Sequence, residues 1–119
     1  MSKYYIHLIF LENCGYSQAA KDLLDNYKVE YDKTIVERSN IENYKTELIK
    51  TFPQIYLKKK KNNSKGSLLL GGYNDLKDFY DNFYKTQLLD DKINNFLDNN
   101  KNWSKKALFR FIELINLKN

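Results

Sequence analysis

The chain has 119 residues, 42% of them hydrophobic and 15% aromatic, with one proline and four glycines. That composition excludes a collagen-like or disordered polypeptide and fits one domain with a modest core. The formal net charge of +5 permits attraction to anionic ligands without requiring nucleic acid, and a single cysteine excludes a disulfide-stapled secreted scaffold.

Residues 4–11 form a near-continuous apolar run of strand length, apolar on both faces as a central buried strand is. The run is too short to span a membrane and no small-residue cleavage site follows it. A reducing, cytoplasmic location is therefore expected (host cytoplasm or virion for a viral source). Residues 12–15 read as a loop. Ala20, Leu23, Leu24 and Tyr27 then recur at helical spacing. Residues 29–36 alternate loosely and predict a second strand. Ser39 and Glu42 have capping-box spacing, and Ile41, Tyr44, Leu48 and Ile49 follow on one helical face. A second helix is thus predicted to run to about Lys50.

Pro53 lies beyond that helix and biases Phe52 towards an extended conformation. Residues 54–57 and 67–70 predict two strands, joined by the polar connection KKKKNNSKG as an antiparallel hairpin. Gly71-Gly72 breaks the pattern. From Asn74 a third helix carries Leu76, Phe79, Tyr80 and Phe83 on one face. Two further helices are marked by Leu89, Ile93, Phe96 and Leu97, and by Leu108, Phe111, Ile112 and Ile115, with Ser104 as N-cap of the last. The order through the third helix is βαβαββα, an α/β arrangement whose first half is a parallel βαβ unit.

The only thiol, Cys14, stands where the first strand ends and the first helix begins. A thiolate is the reactive form of cysteine. Unpaired N–H groups and the dipole at a helix N-terminus stabilise it. Gly15 leaves room for close approach by a ligand. A buried structural cysteine is the alternative reading, and the polar or small neighbours Glu12, Asn13, Gly15 and Ser17 argue against it.

Three separated motifs resemble the glutaredoxins of the thioredoxin-fold superfamily. Cys14-Gly15-Tyr16-Ser17 is similar to the family's C-x-x-C or C-x-x-S site. Thr51-Phe52-Pro53-Gln54-Ile55-Tyr56 is similar to its T-V-P-Q-I-F segment, and Gly71-Gly72-Tyr73-Asn74-Asp75-Leu76 to its G-G-x-x-D-L segment. The resemblance implies a thioredoxin-like fold with a mixed four-stranded sheet plus C-terminal helices. It places a glutaredoxin-like domain at residues 1–87 and a helical extension at 88–119, docked on the same domain. It implies a cis Phe52-Pro53 bond that turns the Phe52 backbone towards Cys14. The implied activity is thiol–disulfide exchange on glutathione mixed disulfides, with Cys14 as nucleophile and Gly15, Tyr16 and Ser17 completing the active-site loop. Glutathione, as co-substrate, would bind Lys50, Phe52, Pro53, Gly72, Asn74 and Asp75. Glutathionylated or disulfide-bonded proteins would be the partners.

Two departures from the family pattern matter. Ser17 stands at the second-cysteine position, so only a monothiol route is expected, and Ser17→Ala is expected to leave most activity. Leu11 stands where many glutaredoxins carry a basic residue, and Lys50, ahead of Arg38, is the expected substitute. A rival reading is a [2Fe–2S] carrier in which two chains bridge a cluster through two Cys14 thiolates and two glutathiones. Another is an inactive interaction module that uses the C-terminal helices as a partner or homodimer contact. One cysteine and one histidine cannot build a closed four-ligand zinc site within one chain. His7 is read as a sheet histidine with a satisfied partner. The lysines from 58 to 61 are read as a solvated hairpin tip rather than a nucleic-acid contact.

Overall fold

The structure is a computed structural model and describes residues 4–60, 67–84, 89–101 and 103–118. Of the hairpin connection predicted at 58–66, Lys58 and Lys59 instead extend a strand and pair with Tyr5 and Tyr4, while 61–66 and the domain boundary expected at 87–88 lie outside the described residues.

Strand β1 (Tyr4–Leu11) is central, as its two-sided apolar pattern requires. It pairs in parallel with β2 (Tyr31–Val36) and antiparallel with β3 (Gln54–Lys59). β3 in turn pairs antiparallel with β4 (Leu68–Gly71), giving one mixed sheet in the order β2-β1-β3-β4. Side chains alternate across a strand, so Ile6 and Leu8 face one side and Ile9 and Leu11 the other. Helices α1 (Gly15–Asn26) and α2 (Tyr73–Phe83) belong to the first side. There Leu24, Leu76 and Phe79 join Ile6, Leu8, Ile55, Leu57 and Leu70 in the main core. Each such side chain contributes about 1.5–3 kcal/mol on burial. The fold is the expected α/β, thioredoxin-like one.

The other face is covered differently from expectation. The predicted helix to Lys50 is a 3-10 helix, Arg38–Tyr44, whose N-cap is Glu37 rather than Ser39 and makes no side-chain capping bond. Ile41 and Tyr44, three apart, lie on one edge of a 3-10 helix. They pack on a small second cluster formed by Ile9, Leu11 and Val36. The helical pattern then stops at Thr46. Its hydroxyl oxygen accepts the N–H groups of Leu48 (3.2 Å) and Ile49 (3.1 Å), while its own N–H donates to the Ile49 carbonyl at 2.8 Å. A threonine hydroxyl offers backbone donors an alternative to the helix, and here they take it. Leu48, counted on the helical face by spacing, is 75% exposed.

Helices α3 (Asp90–Asn99) and α4 (Lys105–Lys118) close the main core from the C-terminal side. The Phe79 ring stacks on Phe111 at 4.3 Å and on Trp103 at 5.3 Å, and Phe96 meets Phe83 edge-on at 5.2 Å. Ser104 caps α4, its hydroxyl oxygen accepting the Ala107 N–H at 3.0 Å, as its sequence position predicts. The buried amide of Asn100 donates to the Phe96 carbonyl (2.9 Å) and to Asp78 Oδ2 (2.6 Å), tying the end of α3 to α2. Among the described residues no helix is long and apolar enough to cross a membrane.

Candidate active site

β1 delivers the chain to a tight turn at Glu12-Asn13. Glu12 is pinned to the end of β2 by its N–H, which donates to the Val36 carbonyl at 3.0 Å. Asn13 has φ +54°, in the left-handed region that asparagine tolerates better than most residues. Cys14 follows as N-cap of α1, with extended φ −122° and ψ 118°. Its sulfur therefore sits beside the first turn of the helix, whose N–H groups have no partners within the helix.

Cys14 is half-buried, packed against the second cluster together with Phe52. Burial by itself pushes the thiol pKa up. That effect is outweighed by hydrogen bonds to the sulfur from the Ser17 hydroxyl and from the Ser17 and Tyr16 N–H groups, with the positive charge of Arg38 adding to them. The net result is a thiol below its ordinary value. Ser17 is fully buried, and its Oγ also accepts the Leu11 N–H at 3.0 Å. One hydroxyl thus joins the strand end, the helix start and the sulfur.

The Phe52-Pro53 bond is cis, and the Cys14 sulfur lies 4.0 Å from the Phe52 carbonyl oxygen. Phe52 and Pro53 border a hollow of about 480 Å³, within the range of small-molecule sites of roughly 300–1,000 Å³. Every residue predicted for the tripeptide groove lines it: Tyr16, Lys50, Phe52, Pro53, Gly72, Asn74 and Asp75. Cys14 meets the hollow through Phe52 rather than lining it. Asp75 has a local duty as well, since its Oδ2 accepts the Gly72 N–H at 2.8 Å where α2 begins. Burial pushes the Asp75 carboxyl up, with that N–H opposing it. Gly71 has φ +119°, and a Cβ there would collide with the Asp75 carboxylate. Gly71 is the glycine needed to seat this aspartate.

The hollow also includes Leu48, Ile49, Thr51 and Tyr73, which sequence reasoning did not assign. Thr51 and Tyr73 belong to the recognised motifs, so membership in those motifs was their available signal. Leu48 and Ile49 were assigned to a helix face instead. The two basic candidates stand at different places. Arg38 is the cation that acts on Cys14, with its Nη2 donating to the Asn13 carbonyl at 2.6 Å, whereas Lys50 lines the hollow. The end of β2 and the 3-10 start bring Arg38 to the turn. His7 is a satisfied sheet histidine: Nδ1 lies 2.5 Å from Asp32 Oδ1 and Nε2 lies 3.2 Å from Thr34 Oγ1.

The glutaredoxin family profile matches residues 2–61, half of the chain. The chain belongs to the glutaredoxin family. No curated protein matches it. Glutaredoxins in general carry out thiol–disulfide exchange and use glutathione. The matched stretch of this glutaredoxin includes β1, the Cys14 turn, Ser17, Arg38 and Pro53, and ends before the Gly72-to-Asp75 wall and the C-terminal helices. Among its described residues no group of three or more His, Cys, Asp or Glu side chains could hold a metal ion. A cluster would find one protein thiolate per chain, Cys14.

Proposed function

We propose that this glutaredoxin is a monothiol, glutathione-dependent oxidoreductase acting on glutathione mixed disulfides, with Cys14 as its nucleophile. The observation that carries the reading is a half-buried thiol, lowered in pKa, at a helix N-terminus beside a hollow of peptide size. In the first step the Cys14 thiolate attacks the glutathione sulfur of the mixed disulfide. A new S–S bond forms between Cys14 and glutathione. The old S–S bond breaks, and its electron pair leaves with the substrate sulfur, which takes a proton from solvent. A second glutathione thiolate then attacks the bound glutathione sulfur. This releases glutathione disulfide and regenerates the Cys14 thiolate. The sum is mixed disulfide plus glutathione giving free thiol plus glutathione disulfide.

In this reading the Phe52 backbone offers strand-like pairing to the cysteinyl part of glutathione. The α2 N-terminus at Asn74 and Asp75 receives the γ-glutamyl end, and Lys50 faces a carboxylate. The stacking of Phe79 on Phe111 supports treating residues 88–119 as an extension docked on a domain of residues 1–87.

The test is turnover of a glutathionylated peptide with glutathione as reductant. The unaltered chain should turn over and, with glutathione withheld, accumulate a species heavier by one glutathione. Cys14→Ala should lose both turnover and adduct. Turnover retained by that variant would defeat the assignment.

A further inference from the structure

Three contacts lace the turn before Cys14 to the chain leaving β2. Glu12 N–H donates to the Val36 carbonyl at 3.0 Å, the Arg38 N–H donates to Glu12 Oε1 at 3.4 Å, and Arg38 Nη2 donates to the Asn13 carbonyl at 2.6 Å. The third is the short, charge-assisted one. It grips the peptide group joining Asn13 to Cys14, the unit whose orientation sets how the Cys14 backbone enters α1. Asn13 is held there at φ +54°. A left-handed asparagine has extended and right-handed alternatives of comparable or lower energy. Something outside the turn must therefore select this one. Arg38 sits where it can, since a guanidinium reaches a carbonyl with a directed N–H while keeping a fixed charge.

We propose that Arg38 is a positioning residue for Cys14: it locks the preceding turn in its left-handed shape through the Asn13 carbonyl and thereby holds the sulfur over the α1 N-terminus. The charged groups around the site are Glu12 in the turn, Arg38 on the 3-10 helix, and Lys50 and Asp75 in the hollow. Tyr44 of the 3-10 helix, and Tyr16 and Tyr73 at the hollow, are the neighbouring phenols. Arg38 is exposed, so its removal leaves the core intact. The role goes beyond supplying a charge, because it predicts that removing the side-chain strain of the left-handed conformation at position 13 substitutes in part for the guanidinium.

The proposal rests on Cys14 being the reactive thiol, and the experiment separates the two ideas. Alkylation by iodoacetamide needs no glutathione, so it reads the thiol even if turnover of the unaltered chain fails. Alkylation rate against pH is measured for the unaltered chain, R38A, N13G and R38A/N13G, with thermal melts to establish folding. R38A should slow alkylation at pH 7 by roughly three- to tenfold, the scale of one net hydrogen bond at an exposed site. It should also shift the pH profile upward. Glycine adopts the left-handed region without side-chain strain, so R38A/N13G should recover about half of the lost rate. The pH midpoint should recover with it. R38A reacting like the unaltered chain overturns the proposal. A double variant as slow as R38A also overturns it, because it reduces Arg38 to a charge.

Discussion

Ser17 carries two demands on one hydroxyl, an acceptor bond from the Leu11 N–H and a donor bond to the Cys14 sulfur. Its place in the tetrad puts it in the active-site loop at the second-cysteine position. The structure makes it part of the thiol's environment. Ser17→Ala should cost about 1–3 kcal/mol of stability, because it strands a buried backbone donor. It should also raise the Cys14 pKa towards the ordinary thiol value of about 8.5, slowing alkylation at pH 7. A urea melt and an alkylation profile would check the two effects, and an unchanged profile would remove Ser17 from the thiol's environment. The sign of the linkage follows from the depressed folded pKa. The stability that the thiolate contributes is full above the unfolded value, and it is lost as pH falls through the lowered folded one. Cys14 itself was legible because strand, loop and helix were each marked by periodicity. The Ser17 bond was not, since its partner is the backbone of a residue six positions back, reached only once the turn has formed.

At the scale of elements, the segment between β2 and β3 is where pattern and structure part. Ile41, Tyr44, Leu48 and Ile49 satisfy helical spacing, yet Leu48 is largely exposed, and Thr46 offers its hydroxyl oxygen to the Leu48 and Ile49 N–H groups. Spacing reports a face; it cannot report whether a surface exists to cover it. The consequence is functional, because unwinding after Tyr44 turns Leu48, Ile49 and Lys50 into one wall of the hollow. Thr46→Val keeps the side-chain shape and removes the acceptor. It should lower the urea midpoint by the equivalent of about 1 kcal/mol with an unchanged m-value. Unchanged stability together with a stronger helical circular dichroism signal would mean that the threonine is not what ends the helix.

At the scale of the whole molecule, the C-terminal helices share the main core with the sheet. Phe111 is fully buried, stacked on Phe79 of α2 and neighbouring Trp103 at 5.9 Å. Phe111→Ala should therefore cost about 3–5 kcal/mol. Chemical denaturation should show that loss in a single transition, monitored together by Trp103 fluorescence and circular dichroism. A loss below about 1 kcal/mol, or a separate early transition of Trp103, would show an extension that packs without supporting the rest.

By itself the sequence determined the elements, their order and the place of the thiol, because strand and helix periodicity, glycine breaks and the run-up to the only proline are local properties. It also named most of the hollow's walls through three motifs. Tertiary structure alone decided which cation serves the sulfur, what the Ser17 hydroxyl holds, and how far the second helix runs. Each depends on what folding brings close or leaves uncovered: the β2 exit bringing Arg38 to the turn, the strand end meeting the first helix, and the exposure of Leu48.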